Sequence, residues 1–208
     1  MPCVLGMDKR IGPKFLHPGP GFGGSCFPKD VNALASMARQ AGGRARIVEA
    51  VQEVNAAQTE LAFEKIRQLL PELKSKTIAV LGLSFKPETD DMREAPSLKI
   101  IGKLLAEGAS VRAYDPAAME IARGMMPTIQ YCADEYETVR GADAAVVMTE
   151  WNQFRSLNFE KLGEEMRAKN IADLRNIYDP KTLRQAGFNY VGLGRESVGL
   201  AASQAPAS

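Results

Sequence analysis

The chain has 208 residues, 45% hydrophobic and 25% charged, with 26 Lys and Arg against 25 Asp and Glu and a formal net charge of +1. That length suits one large domain or two small ones, and the composition excludes a disordered or fibrous chain. The charge balance gives no basic surface for nucleic acid or a membrane, and the longest apolar runs, such as 144–148, are far too short to span a bilayer.

Residues 1–9 lack a cationic start followed by an apolar stretch, so no secretory signal is expected. Cys3, Cys26 and Cys132 form no CxxC pair, which argues against a disulfide framework or a structural zinc and predicts no metal site. The expected compartment is a reducing cytoplasm.

The chain divides near 71–76. A Gly/Pro-rich opening is followed by a predicted helix over 30–41, with Pro28 suited to its first turn and Gly42-Gly43 to its end. Apolar spacings of three to five predict a long helix over 47–70. Its length of roughly 36 Å exceeds what a small helical unit needs and points to a place between larger bodies or at a dimer interface. From Thr77 the pattern alternates: strands are predicted over 77–83, 110–114, 144–149, 170–172 and 188–193. Helices are predicted over 97–107, 117–124, 134–139, 159–168 and 180–186. Such alternation implies an α/β fold, a Rossmann-like, doubly wound parallel sheet, preceded by a helical segment. The tail over 201–208 is small and polar and is expected to fray.

The stretch that carries chemistry is Gly19-Pro20-Gly21-Phe22-Gly23-Gly24-Ser25-Cys26-Phe27-Pro28-Lys29-Asp30. Its glycines let the backbone approach a ligand closely. The loop runs into a helix whose free N–H groups and positive dipole end lie beside Cys26, a placement that favours the thiolate, the form that attacks carbonyls. Lys29 adds a cation, and Asp30, one helical turn beyond Cys26, is placed to orient a water. Nucleophile, cation and base within five residues make a covalent-catalysis constellation. The competing reading makes Cys26 a small buried hydrophobe and Asp30 a helix cap. A cysteine hydrolase is ranked last, because its histidine base would have to be His17 in the same loop.

These residues resemble the nucleotide-sugar 6-dehydrogenases of the UDP-glucose/GDP-mannose dehydrogenase family. The resemblance rests on Arg10-Ile11-Gly12, Phe15-Leu16 and the run 19–30, on VLGLSFKPETDDMR at 80–93, on Thr149-Glu150-Trp151 and on 173–180, and it covers residues 8–195. It implies oxidation of the C6 alcohol of UDP-glucose to a carboxylate with NAD, through a thiohemiacetal and a thioester on Cys26, with Asp30 assisting the water. It also implies that Lys29 and Arg93 contact NAD, and that Phe85, Lys86 and Arg175 contact the substrate. Phe15, Leu16, His17, Pro18, Gly19 and Gly23 fall on the loop that wraps nucleotide and glucose; His17, at a variable position, is read as an exposed loop residue. Arg10 matches an arginine that reaches the sugar nucleotide of the neighbouring subunit, so a homodimer is expected. The pattern departs from the family at Leu174, where glycine is usual.

No G-x-G-x-x-G turn follows a strand in this chain, since GLGR at 192–195 lacks the third glycine. The expectation is therefore a C-terminal portion: residues 1–72 as the cysteine loop and the rest of a central helical domain, and 73–208 as a UDP-binding domain, with residues 1–7 fitting the family poorly. Alone it would be inactive. The alternatives are a dehydrogenase for GDP-mannose or a UDP-N-acetylhexosamine, and a non-catalytic sugar-nucleotide-binding or dimerisation fragment.

Overall fold

A computed structural model describes residues 2–13 and 16–199, with Pro2 and Cys3 described in their backbone only. The substrate residue expected at Phe15 lies outside the described residues. Helix α1 (Pro2–Gly6) opens the chain, followed by α2 (Phe27–Gln40) and α3 (Arg46–Leu69). The sheet unit then runs β1 (Thr77–Leu81), α4 (Pro96–Ala106), β2 (Ser110–Tyr114), α5 (Met119–Met125), β3 (Gln130–Tyr131), α6 (Glu135–Val139) and β4 (Ala144–Val147). It continues through α7 (Asn152–Arg155), α8 (Phe159–Glu165), β5 (Asn170–Asp173), α9 (Pro180–Gln185) and β6 (Asn189–Gly192).

All strand pairs are parallel and their order is β3-β2-β1-β4-β5-β6. The Rossmann-like doubly wound sheet expected from the alternation is present, and its order reverses between β1 and β4, where such sheets open a crevice for ligands at the strands' carboxyl ends.

The strands are buried on both faces. Ile78, Val80, Val111, Ala113, Ala144 and Val146 face a core completed by α3, α4 and α5. Ala79, Leu81, Ala145, Val147, Ile171 and Tyr190 face a second core completed by α6 to α9. Continuous apolar strands of this kind are what a sheet covered on both sides requires.

Helix α3 has three faces with three fates. Its C-terminal half inserts Ala62, Phe63, Ile66 and Leu69 into the first core, where each fully buried large apolar side chain contributes about 1.5–3 kcal/mol. A polar stripe at Asn55, Gln58 and Thr59 turns towards the glycine loop. Ile47, Val54 and Leu61, seven residues apart, remain 83%, 68% and 47% exposed.

The sequence reading missed three elements. Helix α1 hides in the Gly/Pro-rich opening, β3 is a two-residue edge strand of polar composition, and α7 is a single turn after Trp151. Helix α2 begins three residues earlier than predicted because Pro28 sits inside its first turn, leaving Cys26 as the N-cap.

Candidate active site at the sheet switch point

Two loops meet at the carboxyl edge of the sheet. The first follows β1 and carries Gly82, Leu83, Ser84, Phe85 and Lys86. Gly82 is required there: its φ is +91°, and a Cβ on it would lie 2.5 Å from the Cβ of Thr149. Asp115, buried at the end of β2, organises this loop. One of its oxygens accepts from the amides of Leu83 (2.7 Å) and Ser84 (3.1 Å) and from the indole N–H of Trp151 (3.2 Å), and lies 3.2 Å from the Ser84 hydroxyl oxygen. The other caps the turn at Ala117 and Ala118. The Ser84 hydroxyl in turn donates to the Lys86 carbonyl at 2.9 Å, so the Phe85-Lys86 turn is held from both ends. Lys86 is exposed, with its ammonium 5.3 Å from the Phe85 ring centroid. Further along, Glu88 and Glu94 hold φ of +60° and +50°, a conformation that non-glycine residues adopt at a cost of order 1–3 kcal/mol.

The second is the cysteine loop, fixed from two sides. Helix α3 grips it through Asn55, whose Oδ1 accepts from the Phe22 amide (2.7 Å) and whose Nδ2 donates to the Phe22 carbonyl (3.2 Å). Gln58 donates to the Gly19 carbonyl at 2.9 Å and the buried Thr59 hydroxyl to the Pro20 carbonyl at 3.0 Å. Its opposite side rests on the loop after β1. The Gly24 amide donates to the Arg93 carbonyl at 2.9 Å, and a Cβ on Gly24 would lie 2.9 Å from the Phe85 ring. A Cβ on Gly23 would collide with the Glu94 carbonyl. The glycines thus permit backbone-to-loop contact that any side chain would block.

Cys26 ends this loop as the exposed N-cap of α2, with its sulfur 3.6 Å from the Ser25 hydroxyl. Phe27 folds back edge-on against Phe22 at 4.6 Å between ring centroids. Asp30 lies on the first turn of α2, and its amide donates to the Cys26 carbonyl at 2.9 Å. Lys29 and Asp30 are both exposed and form a loose pair at 3.6 Å. The Arg93 guanidinium forks onto Asp91 at 2.8 and 2.9 Å and is stabilised in its charged form by that carboxylate. In return, Arg93 holds the Asp91 carboxyl below the usual aspartate range.

Arg175 joins the two loops. It follows β5, its Nε donates to the Met148 carbonyl at 2.7 Å, and Nη2 donates to the Phe85 carbonyl at 3.3 Å. Nη1 lies against Gly19, where a Cβ would stand 2.6 Å away. Burial destabilises its cation, while Glu150, 3.2 Å from Nε, offsets part of that cost.

The expected residues Gly19, Gly23, Cys26, Phe85, Arg93 and Arg175 are therefore brought into one contact network. Lys29, Asp30 and Lys86 lie at its exposed rim, Leu16 and Pro18 are half-buried in the approach to the loop, and His17 is exposed. Arg10 is not brought in: its guanidinium forks onto Asp8 at 2.7 and 3.0 Å and is open to solvent. Sequence reasoning missed Asn55, Gln58 and Thr59, which sit among many other polar residues of α3 and carry no local mark of their contact with the loop. It also missed Asp115 and quoted Glu150 without a role.

A cavity of about 550 Å³ opens instead at the amino-end edge of the sheet, among Thr77, Ser110, Arg112, Thr128, Arg140 and Arg167. Arg140 and Arg167 are neutralised there by Glu165 and Asp143. Topology places ligands of such sheets at the other edge, and the loop network lies there too.

Known proteins share the sequence pattern and the fold. The family profile "UDP-glucose/GDP-mannose dehydrogenase family, UDP binding domain" matches residues 79–180, and the central-domain profile of the same family matches residues 3–57. The chain belongs to the UDP-glucose/GDP-mannose dehydrogenase family. It is 45% identical over 202 residues to the UDP-glucose 6-dehydrogenase of Pseudomonas aeruginosa, covering 94% of this chain and 45% of that protein. It is 43% identical over 192 residues to the Rhizobium meliloti UDP-glucose 6-dehydrogenase, covering 92% of this chain and 44% of that protein. The solved structure of a UDP-glucose dehydrogenase from Pyrobaculum islandicum superposes with a TM-score of 0.80 at 34% identity, covering 92% of this chain and 42% of that one. The chain thus spans less than half the length of these relatives. The central-domain match begins at residue 3, which corrects the expectation that residues 1–7 fit the family poorly.

Within this family unit the sheet does not itself fit NAD. A dinucleotide-binding sheet needs a glycine-rich turn leading straight into a helix and a free carboxylate for the ribose. Here α4 starts only at Pro96, and Asp115 is buried and occupied by backbone and side-chain donors. The exposed cations nearest Cys26 in sequence and space, Lys29 and Arg93, each pair with a carboxylate, Asp30 and Asp91.

Proposed function

We propose that this chain supplies the nucleophile loop and the UDP-sugar-binding half of an NAD-dependent UDP-glucose 6-dehydrogenase. In this reading residues 1–72 are the remainder of a central helical domain and 73–208 a UDP-binding domain. The observation that carries it is the seating of the cysteine loop on the loop after β1 at Gly23 and Gly24, and on Arg175 at Gly19, each a contact that a side chain on the glycine would block. These contacts bring the cysteine loop against Phe85 and Arg175 near the switch point of the sheet, which supports the reading.

The diphosphate and sugar of UDP-glucose lie in that crevice, with Lys86 and Arg175 supplying positive charge to anionic and hydroxyl oxygens. Cys26 Sγ, exposed at the start of α2, adds to the C6 aldehyde carbon and holds it as a thiohemiacetal and then as a thioester. Cys26 stands at the N-terminal end of α2, with the exposed Arg93 guanidinium nearby. Asp30 orients the water that releases the carboxylate and frees Cys26. When bound, NAD accepts the hydride given up at each of the two oxidations, and Lys29 and Arg93 are the groups of this chain placed to meet its phosphates.

The unpartnered Ile47, Val54 and Leu61 on α3 support a homodimer through that helix. The described cysteines are free, which suits a reducing cytoplasm.

Site-resolved labelling with iodoacetamide tests the reading. Cys26 is expected to alkylate rapidly and buried Cys132 slowly, with saturating UDP-glucose slowing Cys26 several-fold. Unchanged Cys26 labelling under saturating nucleotide sugar would refute a shared site.

A further inference from the structure

We propose that Glu150 is a positioning residue for Arg175, and that Thr149-Glu150-Trp151 is a turn built to hold its carboxylate. The inference rests on the reading of Arg175 as a substrate-binding group given above.

The residues on either side of Glu150 are anchored. The Thr149 hydroxyl donates to the Ser84 carbonyl at 2.6 Å, and the Trp151 indole donates to Asp115 at 3.2 Å. Both anchors belong to the network that shapes the loop after β1, so the backbone of Glu150 is fixed to the loop that presents Phe85 and Lys86. From this platform the carboxylate reaches Arg175, with Oε2 3.2 Å from Nε, and the two side chains are 23% and 12% exposed. Among the described residues no other carboxylate pairs with Arg175.

The pairing is one of charge rather than of a shared proton. The Nε–H is directed at the Met148 carbonyl, and Glu150 Oε2 is buried with no hydrogen-bond donor of its own. A buried guanidinium without a counter-charge is strongly disfavoured. Removing the carboxylate would therefore draw Arg175 towards water. Its Nη2 would leave the Phe85 carbonyl and its Nη1 the surface of Gly19, so both loops would lose their common partner. Glu150 thus keeps the arginine fork aligned across the crevice without touching substrate.

Glu150→Gln in the full chain tests this, because it keeps the shape and removes the charge. Two readouts are needed: the UDP-glucose dissociation constant by calorimetry, and solvent exchange of the Arg175 Nε–H by nitrogen-15 NMR. The dissociation constant is expected to rise about tenfold and the exchange to quicken by about as much, the scale of a lost charge-assisted contact. In an Arg175→Met background, which removes the cation, the same change should alter binding less than about twofold, as coupled residues require. Binding and exchange both unchanged in Glu150→Gln would overturn the proposal, as would a full binding effect that persists in Arg175→Met. If the unmodified chain does not bind UDP-glucose, the substrate reading fails. Exchange then decides alone: accelerated exchange upholds the positioning role, and unchanged exchange overturns it. Should Glu150→Gln not fold, Glu150→Asp replaces it; its shortened carboxylate should give intermediate values, and values equal to wild type in both readouts would overturn the role.

Discussion

The Arg175 guanidinium and Gly19 are in direct contact although 156 residues of sequence separate them: a Cβ on Gly19 would stand 2.6 Å from Nη1. This contact joins the cysteine loop to the β5 end of the sheet, and Arg175 continues the link to Phe85. Gly19→Ala should therefore displace the arginine or lift the loop, destabilising the chain by about 1–3 kcal/mol as overpacking does. It should also weaken UDP-glucose binding. Gly102→Ala is the control: it lies exposed within α4 with nothing within 4 Å of its Cβ position. It should stabilise by about 0.5–1 kcal/mol through helix propensity. Denaturant midpoints of the two variants check both signs.

The grip of α3 on the cysteine loop is tested at Asn55, which makes two hydrogen bonds to Phe22. Asn55→Ala leaves the Phe22 amide and carbonyl without these partners and should cost about 1–3 kcal/mol. Because Phe22 packs on Phe27 next to Cys26, the protection of Cys26 by UDP-glucose against iodoacetamide should shrink in the same variant. Intact protection would mean that the loop holds its shape without α3.

These contacts mark the limit of what the sequence discloses. Residues 110–114 read as a strand with both boundaries correct, because Gly108 and Asp115-Pro116 punctuate it, and α3 was expected with an end-to-end shift of one residue. The two-residue edge strand β3 carries too little alternation to be seen. At the site, Cys26, Phe85 and Lys86 were legible because each lies in a local motif with its own chemistry. Asn55 with Phe22, Glu150 with Arg175 and Asp115 with Ser84 were not. Their partners are brought together by the packing of α3 and by the strand order, which no local window contains.

Arg93 holds the Asp91 carboxyl below 3.8, its ordinary value. A folded-state pKa lower than the unfolded one contributes stability that is present above the unfolded value and is lost as pH falls through the folded value. Wild type should therefore lose stability below about pH 4 more steeply than Asp91→Asn, and the two should converge in acid. Since the Arg93 side chain is 70% exposed, salt should reduce the difference. Urea midpoints from pH 7 to pH 2 at low and high salt measure it. Parallel pH profiles would contradict the pairing.

The exposed stripe on α3 predicts association. Val54→Glu places a charge at its centre and should convert a dimer into a 22.6 kDa monomer in sedimentation at micromolar concentration, leaving the fold intact. A monomeric unmodified chain under the same conditions would count against this interface.

Calorimetric titration of the chain with UDP-glucose, without NAD, tests most directly that the two loops form a UDP-sugar site. Binding in the micromolar range, about −8 kcal/mol, with weaker binding of GDP-mannose, is the predicted result. No measurable heat with either nucleotide sugar, or equal affinity for both, would contradict it.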